Sequence, residues 1–357
     1  MLRTHVWPGA ALAVSSAVLF GASTPLAKLL LGDGVHPQLL AGLFYLGSGL
    51  GLAVVLAVRR LAGGGNQESP LRRADLPRLG VAVLLGGTVA PALLLLGLAR
   101  TSAAAAALLL NLEGVATMVI AWLAFRENVD RRLLLGALAI TAGAVLLSGG
   151  GSQGGGFGYA GVGPLLIAGA CLSWGIDNNV TRGLSGADPL QITMVKGLVA
   201  GSVNVALALG SGAKLPGPAV LSLSALVGFF GYGVSLTLFV RALRHLGAAR
   251  TSAYFSTAPF IGAVLALAAF SGTLTLGIMI AGALMAVGVY LHLSESHSHE
   301  HAHGVIEHEH SHTHDEHHQH FHDAGVLQDE PHAHRHRHAP LVHSHPHYPD
   351  LHHHHDH

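Results

Sequence analysis

The sequence predicts an all-α integral membrane protein: ten transmembrane helices arranged as two inverted five-helix repeats, followed by a disordered His-rich tail. Three observations carry that expectation. Half of the 357 residues are hydrophobic and only 11% are charged, against about 25% charged residues in a soluble domain. The apolar residues fall into ten long runs. Short motifs of the first half return in the second at a nearly constant spacing.

The composition changes abruptly near Leu293. Residues 1–293 hold 17 Lys and Arg but 8 Asp and Glu, and only His5, His36 and His245 among them precede His292. The other 25 histidines run from His292 to His357, together with 11 Asp and Glu. The chain therefore divides into a first repeat (1–150), a second repeat (151–293) and a tail (294–357). No basic patch of the density that nucleic acid needs is present, so nucleic acid is not an expected partner. The single cysteine, Cys171, excludes an intramolecular disulfide framework.

A membrane-spanning helix needs about 20 mostly apolar residues. The runs cover residues 9–31, 37–58, 77–98, 103–125, 132–149, 160–182, 189–209, 218–240, 250–270 and 274–293. Breaks such as "AGGGNQESPLRR", "GGGSQGGG" and "GSGAKLPGP" punctuate them. With the N-terminus in the cytoplasm, 13 basic residues fall inside, against Lys28, Arg100 and Lys214 outside. The positive-inside rule selects this orientation. Ten spans return the chain to the side where it began, which places both termini in the cytoplasm and the protein in a cell membrane, as an inner or plasma membrane component.

The halves repeat one another. "LARTSA" at 98–103 returns as "AARTSA" at 248–253, and "FGAST" at 20–24 aligns with "WGIDN" at 174–178. Five spans per repeat is an odd number, so the halves cross the membrane in opposite senses. Inverted repeats mark many secondary transporters, whose substrate site lies near the midplane between the halves.

Polar residues inside the runs are the candidates for that site. Glu113 falls near the centre of the fourth run, where a charged side chain costs about 2.5–3.5 kcal/mol on insertion scales. Thr117 lies one turn along on the same face, and Asn111 is close by. A coupling carboxylate or a ligand for a cation fits Glu113; a structural ion pair or a neutral acid bonded between helices is the alternative. In "WGIDNNVTR", Trp174, Asp177, Asn178 and Thr181 share one helix face. They suit a polar or cationic ligand, or else an interfacial tryptophan beside a solvated acid. Lys196 sits about 10 Å into the seventh run at 1.5 Å per residue. It either neutralises an acid, binds an anionic group or snorkels to the surface. Ser23 and Thr24 precede Pro25, which removes a backbone donor and kinks the first span. No nucleophile–base pair, phosphate loop or zincin-like motif stands out, so the expectation is not an enzyme.

Residues 1–293 resemble the EamA-type transporters of the drug/metabolite transporter superfamily. The resemblance rests on the two five-helix halves, on the "FGAST" and "WG" elements, and on "LARTSAAAAALLLNLEG" followed by "FRENVDRRLLLGALAITAGAVLL". It implies movement of small metabolites without fixing which. The family's acidic residue at the start of the fifth span matches Glu127, whereas Gly272 stands in the second half. Its proline near the middle of the ninth span matches Pro259, but Gly114 occupies the fourth. A subset of the family resembles this chain in carrying a His-rich tail.

The tail holds His297, His299, His301, His303, His308, His310, His312, His314, His317, His318, His320 and His322 in its first part. His332, His334, His336, His338, His343, His345, His347, His352, His353, His354, His355 and His357 follow. Free histidine titrates near pH ~6.5, so neutral imidazole, the ligand form, dominates at cytoplasmic pH. The prevailing His-x-His spacing puts both rings on one side of an extended chain. His314, His317 and His318 instead fit one helical turn. Zinc, copper, nickel and cobalt are the expected ions. A segment this polar cannot bury a core, so disorder is expected without metal.

Three functions share this fold. The first is a transporter, acting as an exporter of a small metabolite by alternating access, with a metal-binding tail that regulates or buffers. The second is a transition-metal exporter whose tail collects the ion. The third is a non-transporting membrane sensor. The intramembrane oxygen and amide groups favour the first. Lipid and a small-molecule or metal-ion substrate are the expected partners, and a homodimer is open. No cofactor is required.

Overall fold

The structure, a computed structural model, describes residues 3–62, 69–125, 131–149, 161–184, 186–270, 274–293, 297–303, 307–312, 332–337 and 341–347. In lipid no water satisfies a backbone N–H or C=O, so an apolar run closes its hydrogen bonds within itself as a helix. The body is helical accordingly. Helices α1 (Arg3–Gly32) and α2 (Pro37–Leu61) are joined by a turn in which Gly34 takes φ +82°, a conformation that glycine adopts without strain. The third run forms α3 (Leu76–Ala82), a π-helical turn over Val83–Val89 and α4 (Ala90–Ala99). The fourth run breaks at Leu110 and Asn111 into α5 (Ala103–Leu109) and α6 (Leu112–Phe125), and α7 (Arg131–Gly149) ends the first half.

The second half repeats the pattern with α8 (Val162–Arg182), α9 (Pro189–Gly210), α10 (Pro218–Val227), a second π-helical turn over Gly228–Val234, α11 (Ser235–Phe255), α12 (Ala258–Ala269) and α13 (Leu276–Leu293). Helix starts carry the expected chemistry. The Ser102 hydroxyl accepts from the Ala105 amide at 3.3 Å, and the Asp188 carboxylate accepts from the Leu190 amide at 2.9 Å.

Among the described residues, seven helical stretches are long and apolar enough to cross a membrane: Gly9–Gly32, Pro37–Leu61, Arg73–Ala99, Ala103–Ala124, Arg131–Ser148, Pro189–Gly210 and Pro218–Ala242. Ala258–Ala269 and Leu276–His292 are apolar but shorter. Helix α8 has the length, but it carries Asp177, Asn178, Asn179 and Thr181. Val54, Leu123, Val145 and Val264 are among the large apolar side chains left exposed on the outer surface, as a lipid-facing wall requires.

One boundary differs from expectation. A polar break was expected over 241–249, yet the helical backbone of α11 continues to Phe255. The chain nonetheless reverses inside this stretch. The rings of Phe239 and Phe255 lie 5.0 Å apart, whereas 16 residues of straight helix would hold them about 24 Å apart. The turn is made within residues of helical backbone.

The halves interlock. Helix α1 packs on α11 and α12 of the opposite half, and α8 packs on α4 and α6 of the first half. Helix α2 crosses α9, and α7 crosses α13. Each of these contacts has its counterpart under exchange of the halves, as the sequence repeat requires. The α2–α9 seam is made by small residues, which let helix backbones approach in lipid. A Cβ on Gly42 would come within 2.7 Å of the Val205 amide nitrogen, and one on Gly197 within 2.7 Å of the Gly49 Cα.

Four short segments of the tail are described, as paired strands. Strand β1 (His297–His303) pairs antiparallel with β4 (Leu341–His347), and β2 (Glu307–His312) with β3 (His332–Arg337). The reason lies in the spacing: His-x-His has the period of two that a strand needs. In register, His297 faces His347, His299 faces His345 and His301 faces His343. Likewise His308 faces His336, His310 faces His334 and His312 faces His332, while Glu307 and Glu309 face Arg337 and Arg335. Opposite charges at facing positions favour that register. The remaining tail histidines from the sequence reading, His314, His317, His318, His320, His322, His338, His352, His353, His354, His355 and His357, lie outside the described residues.

A leucine at position 197 cannot be accommodated without parting α2 from α9, and overpacking of this kind costs about 1–3 kcal/mol or more. Gly197→Leu is expected to lower the melting temperature in detergent clearly. Gly210→Leu, at a position with no neighbour within 4 Å, is expected to leave it unchanged. Equal melting of the two variants would show that the seam does not hold the halves together.

Candidate functional site

Where the two halves meet, a narrow cavity of about 60 Å³ lies between α1, α2, α6, α8, α9, α11 and the second π-helical turn. A second cavity of about 30 Å³ adjoins it. Together they have room for only a few waters. Glu113, Asn178, Phe20, Phe239 and Phe255 line both. Glu113 therefore stands at the partition between two small chambers, in the first turn of α6, directly after the break in the fourth run. Broken helices with polar groups at the break are a common way to build a site at membrane depth. The matching break in the second half, at Ser256 and Thr257 before Pro259, meets the first across the smaller cavity, which Ser256 and Pro259 also line.

The Glu113 carboxylate accepts one hydrogen bond, from the Asn178 amide at 2.8 Å. That amide also reaches the Thr117 hydroxyl at 3.3 Å, and Thr117 in turn donates to the Glu113 carbonyl at 2.8 Å. No cation pairs with Glu113 among the described residues. Asp177 differs in this respect. Its carboxylate forms an ion pair with the Lys196 ammonium and accepts from the Thr181 hydroxyl at 3.0 Å. Both members of the pair are buried, at 4% and 3% exposure. Such a pair holds its place only when further hydrogen bonds satisfy its charges. A Cβ at Gly86 would overlap the Asp177 carboxylate, so the first π-helical turn brings bare backbone against this acid. The Gly86 carbonyl accepts from Tyr45 at 2.7 Å and from the Trp174 indole at 3.0 Å.

Aromatic residues are only 6% of the chain, yet Phe20, Tyr45, Trp174, Tyr232, Phe239 and Phe255 all line the main cavity. Their rings touch in sequence. Phe20 lies edge-on to Trp174 at 6.0 Å and to Tyr232 at 5.6 Å, and it meets Phe255 at 5.4 Å.

Of the residues singled out from sequence, the structure gathers Glu113, Trp174, Asp177, Asn178 and Lys196 around the main cavity, and Asn111 and Thr117 around the smaller one. Trp174 is buried and bonded to α3–α4 backbone, so it is not an interfacial anchor. Lys196 does not snorkel, because the Asp177 carboxylate holds it. Asn111 donates to the Leu108 carbonyl at 2.9 Å, and its own buried carbonyl oxygen has no partner. Ser23 and Thr24 are buried but line neither cavity; the Ser23 hydroxyl is bonded to the Phe20 carbonyl at 2.6 Å. Glu127, its neighbour Asn128 and Gly272 lie outside the described residues. The sequence reading missed Tyr45, Tyr232, Phe239 and Phe255. A signal existed for Phe20, which the repeat aligns with Trp174.

Replacing one member of a buried ion pair leaves the other charge uncompensated, a loss of about 3–5 kcal/mol. Asp177→Asn and Lys196→Met are each expected to destabilise the protein strongly in detergent, and the double variant to recover most of that loss. Additive losses in the double variant would show that the two side chains do not act as a pair.

Comparison with known proteins now places the chain. The model of the EamA-like transporter family matches twice, over residues 7–149 and 161–294. An uncharacterized transporter of Methanothermobacter thermautotrophicus (strain Delta H) is 30% identical over 292 residues, covering 78% of this chain and 84% of that protein. A crystal structure with 19% sequence identity superposes with a TM-score of 0.59, over 79% of this chain and 94% of the other, and shares the fold. The chain is a multi-pass membrane protein and belongs to the EamA-like transporter family.

Proposed function

We propose that this transporter exports a small organic metabolite from the cytoplasm by alternating access. In this reading its two halves cross the membrane ten times in all, as a monomer or a homodimer in the cell membrane, with both termini in the cytoplasm. The observation that carries the reading is the position of Glu113. A carboxylate with no cationic partner among the described residues stands at a helix break, between the halves, and faces both chambers. Intramembrane acids in such positions are functional by default. Aromatic walls with a few oriented polar groups fit an organic molecule. Glu113 then serves as the group that exchanges a proton or cation as access alternates, and Asn178 orients it. The chemistry is binding and release, without an enzymatic step.

The tail enters as a regulator or buffer. Facing histidines in the β1–β4 and β2–β3 ladders suit zinc, nickel, cobalt or copper, for which imidazole is a good ligand. The same ladders favour a second reading, in which the tail collects a transition metal for export. Against it stands the make-up of the cavity, whose polar side chains are carboxylates, an amide, an ammonium and hydroxyls.

Two measurements test these assignments. Inside-out vesicles supplied with a cytosolic small-molecule extract are expected to accumulate at least one compound with the parental chain and none with Glu113→Gln, while both chains elute as folded protein. Unchanged accumulation would remove Glu113 from the mechanism. The same vesicles are expected to take up none of zinc, nickel, cobalt or copper under a proton gradient, although the full chain binds these ions and a chain with its tail histidines changed to serine does not. Gradient-driven metal uptake, weakened by the serine tail, would establish the metal exporter instead.

A further inference from the structure

A recess of about 640 Å³ lies at one end of the membrane body, apart from the two chambers around Glu113. That volume falls in the range of about 300–1,000 Å³ usual for ligand sites. Both halves build it. The α1–α2 turn and the end of α4 come from the first half, and the α9–α10 link comes from the second. Gly34 and Gly212 turn the chain at its wall with φ +82° and +90°, and a Cβ on either would meet nothing within 4 Å.

The charge of the recess is one-sided. By the order of the spans, Lys28, Arg100 and Lys214 share this face of the body, against 13 basic residues on the other. Two of those three, from opposite halves, line the same recess beside His36. No acidic side chain is part of its wall; Asp33, in the α1–α2 turn, is exposed and does not line it. Neither lysine forms an ion pair among the described residues. Capping of helix ends explains the lysines only in part. The Lys28 ammonium donates to the Leu98 and Thr101 carbonyls at 2.6 and 2.8 Å, at the end of α4. Those carbonyls fix the ammonium at the wall without cancelling its charge, and they use two of its three donors. The end of α9 closes by itself: the Ala213 amide donates to the Ala208 carbonyl and the Gly212 amide to the Leu209 carbonyl, each at 3.0 Å, which is a complete Schellman motif. Lys214 follows that motif and is not needed by it.

The rest of the wall suits an anion held at the membrane boundary. Helix α2 starts at the recess with Pro37, and no side chain caps it. The start of a helix favours negative charge. Leu31, Val35 and Ala99 supply apolar lining. Leu29 and Leu215, each next to one of the lysines, are exposed on the outer surface. Basic pockets between spans are suited to anionic lipid head groups. We infer that this recess binds an anionic phosphate group, clamped between Lys28 and Lys214 and supplied by a phospholipid head group or by free phosphate. A phosphate held there joins the first half to the second at this end of the body. The site is separate from Glu113 and does not rest on the transport reading.

The test uses the full-length protein in a neutral detergent, with dihexanoylphosphatidylglycerol as the probe. Titration is expected to give saturable binding and a rise in melting temperature, as for any ligand that prefers the folded state. Dihexanoylphosphatidylcholine, whose phosphate is balanced by its own cation, is expected to bind at least tenfold more weakly. Lys214→Gln, at an exposed position beyond the α9 cap, is expected to fold as the parent does and to lose at least tenfold in affinity for phosphatidylglycerol. Lys28→Gln is expected to lose as much, but it also removes a cap of α4, so Lys214→Gln carries the test if that variant does not fold. Arg100→Gln changes the charge of the same face without touching the wall and is expected to bind as the parent does. Inorganic phosphate separates the two sources. Competition with the lipid marks free phosphate as an occupant, and failure to compete in large excess marks the head group. Phosphatidylglycerol binding untouched by Lys214→Gln would overturn the site. So would an equal loss in Arg100→Gln, which would reduce the effect to diffuse surface charge. Either result leaves the transport reading standing.

Discussion

The interior is organised by the ion pair between Asp177 and Lys196. Two charges in lipid surroundings persist only if they are close, hydrogen-bonded and shielded. Each of those conditions shapes something nearby. Closeness ties α8 to α9, the two helices that begin the second half. The remaining acceptor sites of Asp177 draw in Thr181. Shielding requires backbone to come against the carboxylate, which a side chain at position 86 would prevent. The π-helical turn of Val83–Val89 supplies that contact and leaves the Gly86 carbonyl free to accept from Tyr45 and Trp174. Because Lys196 is committed to Asp177, Glu113 is left without it. The electrostatic character of the cavity thus follows from which acid the lysine has taken.

A symmetric frame carries this asymmetric chemistry. The two π-helical turns, Val83–Val89 and Gly228–Val234, occupy equivalent places in the halves. Gly86 lies against Asp177, and Gly231 lies against Ser23, the very pair that the repeat aligns. The fourth run and its counterpart both break, but one break is followed by Glu113 and the other by Ala258 and Pro259. The charged residues are confined to one member of each equivalent pair, Asp177 against Ser23 and Glu113 against the break at Ser256 and Thr257, so the cavity is electrostatically asymmetric. A cavity with the same acid in both halves would hold two like charges within reach of each other, which the low dielectric penalises.

How much of this the sequence disclosed depended on the kind of signal. Run lengths foretold the helices because lipid forces every apolar segment to satisfy its own backbone. The repeat foretold which helices would be equivalent, and the same alignment sets Phe20 opposite Trp174, two rings that the structure brings together and that the sequence alone left unremarked. Glu113, Asp177 and Lys196 stood out because charge is rare in such runs. Their pairing did not. Lys196 faces Asp177, not Glu113, because α8 and α9 both pack on the π-helical turn Val83–Val89, and no spacing within either helix encodes that placement. Tyr45, Tyr232, Phe239 and Phe255 were hidden for another reason. An aromatic residue in an apolar run looks like packing until its neighbours are known. The helical turn inside α11 was hidden because polar residues usually mark a loop, whereas here they are held in helical conformation.

The tail obeys the same physics with the opposite result. Composition gives it too few apolar residues to bury a core of its own. Composition ignores order, however, and the order of these residues is alternating. An alternating chain presents one kind of side at every second position, so two such segments gain by lying antiparallel in register. Facing histidines then recur along each ladder, and the Glu–Arg positions of β2 and β3 fix which residues face one another. A slip of one residue would set histidine against the residues between. Register in these ladders, which lie within residues 297–347, is therefore a property of residue order, which composition does not record.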